Sequence, residues 1–366
     1  MAVKERFDFI DHFRGFIMVM MALDHSSDYF NVIWRGMDPL DPLFPSFGQF
    51  LVRYLSYFCA PGFLMIAGAM VYWAYRRRRD RGVGDWRARW DFIERGLFLI
   101  LVQMVWVNAS WSGFARLRLW HFSIIGCIGG SLILLTLLIR LKWWQRLAVG
   151  AGVMLVHPFL LRIPYDLDGP AHVPMQLFID AGDFNLYPIL PWFAMAMVGS
   201  VMAHFWFERW RTHAERASKS MLVGLGLVVL GGLLRMFGGG YANIFPHGDF
   251  GSVAFFMDQK YPPSLSHAVW FLGTNIFLVG FFCRVAMISP KIFAPLGTIG
   301  KTALFFYCIH IPLLAIFTRR LGLFYRELDI GGMLVGLAVL LVVLYPLTIW
   351  FYGVKRRSKN HIIKMI

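Results

Sequence analysis

The sequence predicts an all-α fold: a polytopic integral membrane helix bundle of about ten transmembrane helices, with both termini in the cytoplasm. Of its 366 residues, 58% are hydrophobic and only 16% are charged, whereas soluble domains carry about a quarter charged residues. Apolar runs of about twenty residues recur along the chain, and each is long enough to cross a hydrocarbon core. The basic residues are also divided very unequally between the loops, which is typical of membrane proteins.

Each apolar run is expected to form one membrane-spanning helix. The runs are separated by polar, basic or Gly- and Pro-rich loops, and neither an internal repeat nor a hydrophilic linker divides them. Residues 1–366 are therefore expected to form a single transmembrane domain. The ten candidate spans are residues 13–33, 48–75, 93–111, 121–139, 147–162, 187–207, 221–238, 266–287, 299–318 and 331–352.

The charge distribution orients this bundle. With an even number of spans, both termini lie on one side, and that side carries 26 Lys and Arg against 9 Asp and Glu. The opposite side carries 10 basic and 12 acidic residues. Because basic loops remain in the cytoplasm, we expect a multi-pass protein of the inner (plasma) membrane. The pI near 9.9 then reflects topology and contact with the lipid bilayer, and no nucleic-acid partner is expected.

The first span contains charged and titratable residues that a membrane helix does not need. Asp24, His25 and Asp28 fall within "MALDHSSDY" (21–29), directly after an apolar run. Such groups cost several kcal/mol at membrane depth unless they are paired or hydrated, which makes them functional candidates. Asp28 lies three residues beyond His25 on the same helical face, so we expect it to accept the imidazole N–H. The alternative is an interhelical hydrogen bond that only locks the bundle.

Arg14 lies on nearly the same face of this helix as His25. The two residues are eleven positions apart, which corresponds to roughly 16 Å along a helix axis. Arg14 is therefore expected near the cytoplasmic surface, and His25 beyond the middle of the membrane.

Three further residues are weaker candidates for a site. His121 begins the fourth span and His310 lies inside the ninth; each alone can be structural, but with His25 they form a set suited to proton transfer near neutral pH. Trp192 follows two prolines at the start of the sixth span, directly after an acidic outer loop. That segment suits a cavity, but it also suits an ordinary helix start or an interfacial aromatic belt.

Several catalytic signatures are missing from the sequence. It contains no GxxxxGK[ST], no HExxH and no Cys/His set with metal-ligand spacing. An ATP-driven pump and a zinc protease are therefore not expected, and no metal cofactor is predicted.

Five blocks, in order along the chain, resemble the catalytic domain of heparan-alpha-glucosaminide N-acetyltransferase. The resemblance is to the bacterial branch of that family, within the wider transmembrane acyltransferase superfamily. The blocks are RFDFIDHFRGFIMVMMALDHSSDYF (6–30), APGFLMIAGAMVYWAYRRR (60–78), RLRLWHFSIIGCIGGSLIL (116–134), YPILPWFAMAMVGSVMA (187–203) and LGTIGKTALFFYCIHIPLL (296–314).

The resemblance implies an enzyme that moves an acyl group, in the first instance acetyl, from cytoplasmic acyl-CoA to a sugar or glycolipid at the outer face. It implies that His25 is the catalytic histidine, with Asp24 beside it, and that Arg14 contacts the acyl-CoA. It leaves open the acyl group, the acceptor, the oligomeric state and the roles of His121 and His310. It also leaves open whether the imidazole acts as a general base or carries the acyl group.

A proton-coupled secondary transporter is the alternative function. Buried His and Asp residues suit proton coupling equally well. Transporters, however, usually contain paired repeats with matched broken helices, and no second copy of the Asp24–His25 pair is present in the sequence.

Overall fold

The chain forms a bundle of helices, and the all-α class is confirmed. The computed structural model describes residues 7–34, 44–289 and 291–366. Within these ranges the structure contains three isolated β-bridges and no β-strand. The helices are α1 (Asp8–Phe30), α2 (Phe47–Tyr57), α3 (Cys59–Arg79), α4 (Asp85–Leu101), α5 (Asn108–Ser110), α6 (Ile124–Leu138), α7 (Trp143–Leu160), α8 (His172–Phe178), α9 (Ile189–His204), α10 (His213–Phe237), α11 (Gly239–Ala242), α12 (Val253–Phe256), α13 (Leu265–Ile288), α14 (Ala294–Lys301), α15 (Ala303–Ala315), α16 (Ile330–Arg357) and α17 (His361–Met365).

Many of these helices are long and apolar enough to cross a membrane, so the multi-pass class is confirmed. In the described part of the chain seven segments meet this criterion, and α1, rich in charged residues, and α6, only 15 residues long, are not among them. The total of about ten spans, and the compartment that holds the termini, remain predictions. The seven segments are Phe47–Arg79, Asp85–Ser110, Ile189–Arg209, His213–Phe237, Leu265–Ile288, Ala303–Arg320 and Ile330–Arg357.

The second predicted span is interrupted at Phe58, where α2 ends and α3 begins. Pro61 lies in the first turn of α3, where a residue without a backbone N–H costs least. Asn275 of α13 donates from Nδ2 to the Phe58 carbonyl at 2.9 Å, so this carbonyl oxygen has a hydrogen-bond partner at the break. The interruption turns Ser56 and Cys59 towards the interior of the bundle.

Helix α9 lies at the centre of the bundle, and α10 and α16 lie at its periphery. In their most apolar windows, 83% of the α9 segment is buried, compared with 22% for α10 and 28% for α16. Helices α3 and α9 touch backbone to backbone, because Gly68 lies against the Ala196 carbonyl and Gly199 against the Met65 carbonyl. Small residues permit this close approach between membrane helices.

One buried ion pair organises the segment between α10 and α13. Arg235 Nη1 lies 3.4 Å from Asp258 Oδ2, and the two side chains are 2% and 3% exposed. Arg235 also donates to backbone carbonyls of the loop, including that of Met257 at 2.7 Å. Asp258 accepts from the Phe245 N–H at 2.8 Å and from Ser266 Oγ at 2.7 Å. Because every partner is a buried polar group that needs a bond, this network fixes the path of the loop.

Replacing Gly199 by Ala should destabilise the protein, because the added Cβ would collide with the Met65 carbonyl. We expect a cost of about 1–3 kcal/mol, as for other overpacked positions, measured as a lower midpoint of thermal unfolding in detergent. Gly152→Ala is the matched control, since a Cβ there meets no atom within 4 Å. Equal midpoints for the two variants would contradict the close α3–α9 contact.

Candidate active site

A cavity of about 600 Å³ extends through the bundle and connects two groups of polar residues. One group comes from the helix ends near the two termini, and the other lies deep in the bundle. Helices α1 and α3 supply much of the wall. The deep group consists of Asp24, His25, Ser56, Cys59, Tyr187, Lys260 and Tyr307.

The other end of the cavity, which we call the basic mouth, is strongly cationic. Among the residues that line it, six are Lys or Arg and one is a carboxylate, Asp91, which pairs with Arg78 at 2.5 Å. Arg95 Nη1 donates to the Met365 carbonyl at 2.7 Å, which brings α17 against α4. A surplus of cations in a concave site attracts polyanions. The cations of the basic mouth are Arg14, Arg78, Arg95, Lys301, Lys355 and Lys364.

Between these ends the cavity wall is apolar. Met18 and Met21 come from α1, Phe63 and Ala67 from α3, and Ile128 from α6. An apolar passage of this kind suits an uncharged chain better than a charged one. The cavity therefore combines an anion-attracting entrance with an apolar passage and a polar end.

Two histidines form a hydrogen-bonded pair at the deep end. His25 Nδ1 lies 2.7 Å from His310 Nε2, and the two rings are nearly parallel, with an interplanar angle of 5°. His310 Nδ1 lies 3.1 Å from the Phe306 carbonyl oxygen. A carbonyl oxygen can only accept, so His310 Nδ1 carries the proton and a neutral His310 accepts at Nε2. His25 must then donate from Nδ1, and its Nε2 holds a lone pair.

The environment of Asp24 is dominated by cations. Asp24 Oδ1 lies 4.0 Å from Arg53 Nη1, and Lys260 is a second electrostatic partner of the carboxylate. Arg53 is itself held over the Trp34 ring at 3.8 Å. Asp24 and His25 both line the cavity, as neighbours on α1. The half-buried carboxylate therefore lies beside positive charge rather than isolated among apolar side chains.

Asp28 has a different partner from the one expected. Its Oδ1 lies 3.8 Å from Arg326 Nη2, and its backbone carbonyl accepts from Arg326 Nε at 3.2 Å. The Nδ1–H of His25 is directed to His310 instead. Sequence spacing placed Asp28 on the correct face, but it could not reveal that a residue 285 positions away reaches the same ring nitrogen.

His121 and Trp192 lie away from the cavity wall among the described residues. His121 Nδ1 lies 3.4 Å from the Asp183 carbonyl, in the predicted outer loop. In the same loop, His172 donates to Asp183 at 2.9 Å, and this hydrogen bond lowers the pKa of the Asp183 carboxyl. Trp192 is fully buried and packs on Tyr187, with the ring centroids 5.4 Å apart. Trp192 therefore contacts a residue of the cavity wall, whereas the His121 side chain contacts the backbone of this loop.

Lys260, Tyr307 and Lys355 line the cavity but were not singled out in the sequence. Lys260 is the one Lys or Arg in residues 239–265, and this isolated cation in an otherwise acidic loop is a signal that could have identified it. In the sequence, Lys355 is one residue of a basic C-terminal segment, and nothing there distinguishes it as a cavity residue. In the described part of the chain, no group of three or more His, Cys, Asp or Glu side chains is arranged to hold a metal ion.

The fold and the site together define a multi-pass membrane protein with a cavity that joins a cationic mouth to buried polar residues. The family model described as heparan-alpha-glucosaminide N-acetyltransferase, catalytic, matches residues 6–233. Because the match covers more than half of the chain, the protein belongs to this family of membrane acetyltransferases. A comparison with curated proteins found no significant match. Lys260, Tyr307 and His310 lie beyond the matched residues, so the family match does not bear on their place in the site.

Cysteine accessibility tests the cavity without any assumption about activity. In a background with Cys59, Cys127, Cys283 and Cys308 replaced by Ala, the variant Ala67→Cys places a thiol on the cavity wall. A water-soluble methanethiosulfonate added to the purified protein in detergent should modify it severalfold faster than Ala69→Cys. Ala69 is the matched control, since it lies two residues away on α3 and is fully buried. Equal rates would show that the cavity is closed to water.

Proposed function

We propose that the protein transfers an acyl group, most simply acetyl, from cytoplasmic acyl-CoA to a sugar or glycolipid at the outer face of the membrane. One observation carries the proposal. A single cavity joins a cationic mouth to the paired histidines His25 and His310, and Arg14 lines the same cavity as His25. Family membership supplies the reaction class, and the cavity supports a route by which the two substrates meet.

The donor site follows from the two halves of the cavity. Acyl-CoA carries phosphates at one end and a thioester at the other, joined by a flexible uncharged arm. Arg14, Arg95 and Lys355 are electrostatic neighbours in the basic mouth and suit the phosphates. Charge-assisted contacts to phosphate are strong, and the apolar passage suits the arm. The thioester would then lie near His25.

His25 is assigned the role of general base, or of acyl carrier. In the tautomer that the hydrogen bonds impose, His25 Nε2 holds a lone pair that can take a proton from the acceptor hydroxyl or amine. The same lone pair can attack the thioester directly. His310 orients the ring, the part that a carboxylate plays in other His-based sites. Asp24 stabilises the positive charge that develops on His25 as it takes up the proton, and Asp28 does so to a smaller extent.

The acceptor would approach from the side of the outer loops. Tyr187, Tyr261 and Trp111 surround the deep end; Tyr187 Oη lies 3.0 Å from Tyr261 Oη, and Trp111 contacts His25 edge to face with centroids 5.0 Å apart. Sugar rings pack well on aromatic faces, which favours a carbohydrate acceptor. Membership in a transferase family favours this function over a proton-coupled transporter.

The topology completes the proposal. The basic mouth would face the cytoplasm with both termini, in agreement with the distribution of basic loops. All of residues 1–366 would form one domain in the inner (plasma) membrane, since the site draws on α1, α3, α15, α16 and the loop before α13.

Thioester turnover with purified protein tests the function. With radiolabelled acetyl-CoA and glucosamine as a probe acceptor, the wild type should release CoA and acetylate the sugar or the protein. His25→Ala should lower the rate by about 10²–10⁴, the usual contribution of a general base. His247→Ala is the control, because His247 is an exposed outer-loop residue. Absence of turnover with several acyl-CoAs, together with proton-driven uptake in liposomes, would favour the transporter.

His310 should act on the reaction through the orientation of His25. His310→Leu removes the acceptor for His25 Nδ1–H, so the ring can adopt the other tautomer, and we expect kcat to fall by about 10² or more. His310→Gln retains an acceptor oxygen and should recover part of the activity. The measurement is kcat for CoA release, with KM for acetyl-CoA as the internal control. Wild-type kcat in His310→Leu would remove His310 from the mechanism.

A further inference from the structure

Lys260 is a buried lysine at the deep end of the cavity, and a buried hydrogen-bond network fixes the loop that carries it. Its side chain is 3% exposed. It follows directly after the network of Arg235 and Asp258, in which Asp258 also accepts from the Gln259 N–H at 2.8 Å. The loop that carries Lys260 is therefore fixed by buried hydrogen bonds on its N-terminal side and by α13 on the other.

The charges around Lys260 do not cancel. Asp24 has two cationic partners, Arg53 at 4.0 Å and Lys260. Asp258 is paired with Arg235 at 3.4 Å, so its charge is already matched. Among the described residues, Asp24 and its two cationic partners, Arg53 and Lys260, together carry a net charge of +1. An excess positive charge is costly in a buried site unless the site binds or stabilises an anion.

Aromatic rings hold the ammonium without neutralising it. Lys260 Nζ lies 5.3 Å from the centroid of the Tyr57 ring and 5.1 Å from that of the Tyr261 ring. Cation–π contacts of this kind stabilise a desolvated cation by about 1–2 kcal/mol. They leave its positive charge available to a negative group in the cavity.

Within residues 7–34, 44–289 and 291–366, Asp24 offsets only one of these two cations, but a reaction in this cavity would create a second negative charge. Attack on a thioester carbonyl places a full negative charge on the carbonyl oxygen, and it does so only during the reaction. A fixed cation beside that oxygen lowers the barrier because it is already in place when the charge develops.

We propose that Lys260 is a catalytic residue that stabilises this oxyanion. The inference rests on the proposed acyl transfer. The acceptor oxygen or nitrogen bonds to the thioester carbon and gives its proton to His25 Nε2, while the carbonyl electron pair moves to the oxygen beside the Lys260 ammonium. When the oxyanion collapses, the C–S bond breaks, and the CoA thiolate takes the proton from His25. The products are the acylated acceptor and CoA, and Lys260 keeps its proton throughout.

Steady-state kinetics of CoA release from acetyl-CoA, with water and with glucosamine as acceptors, test the assignment. Lys260→Met should lower kcat by about 10²–10³, the cost of removing one oxyanion donor, with KM for acetyl-CoA changed by no more than about threefold. Lys260→Arg keeps the charge and should recover part of kcat. Binding of the unreactive analogue acetonyl-CoA, in which CH₂ separates the sulfur from the carbonyl, shows that each variant is folded.

The double variant Asp24→Asn/Lys260→Met separates an oxyanion role from simple charge balance. If Lys260 only neutralises Asp24, the double variant should have the same kcat as Asp24→Asn alone, and the proposal is overturned; an oxyanion role predicts a kcat well below that of Asp24→Asn. It is also overturned if Lys260→Met raises KM alone, or if a variant that binds acetonyl-CoA normally keeps full kcat. These results differ from failure of the proposed function itself, in which the wild type would not turn over the thioester at all.

Discussion

The site depends on one hydrogen bond, between His25 Nδ1 on α1 and His310 Nε2 on α15, at 2.7 Å. His310 is fully buried and is itself tied to the Phe306 carbonyl. This chain of two bonds determines which nitrogen of His25 carries a proton. It leaves the other nitrogen basic on a side chain that lines the cavity. Such a bond is also costly to break, because the freed Nε2 of the fully buried His310 would lack a partner.

The rest of the structure serves to bring this pair together with a polyanion entrance. Gly68 and Gly199 allow α3 and α9 to pack backbone to backbone, and the break at Phe58 turns polar residues of α2 and α3 inward. The Arg235–Asp258 pair draws the loop before α13 over the deep end. The helix ends near both termini converge as the basic mouth. Each feature is local, yet together they produce one continuous passage.

Much of this was accessible from the sequence. Hydropathy predicted the membrane helices because lipid imposes a strict length and apolarity on each span. The cost of burying charge pointed to Asp24 and His25, and the interval of eleven residues placed Arg14 on the same wall of the cavity. The family resemblance was confirmed by the match over residues 6–233.

Pairings between distant segments were not accessible from the sequence. Helical spacing describes neighbours within one helix, so it offered Asp28 as the partner of His25 and could not offer His310, 285 positions away. Lys260 lies in a loop without periodicity, and its burial depends on Arg235 in another helix. His121 and Trp192 have the right residue types at span ends, but side-chain direction depends on packing, and the packing directs them elsewhere.

Solid-state ¹⁵N NMR of histidine-labelled protein in lipid tests the central interaction most directly, with His25→Ala and His310→Leu used to assign the two rings. The account predicts a neutral His25 with its proton on Nδ1, an unprotonated Nε2, and a Nδ1–H···N bond that disappears in His310→Leu. A His25 ring protonated at Nε2, or one whose spectrum is unaffected by His310→Leu, would contradict it.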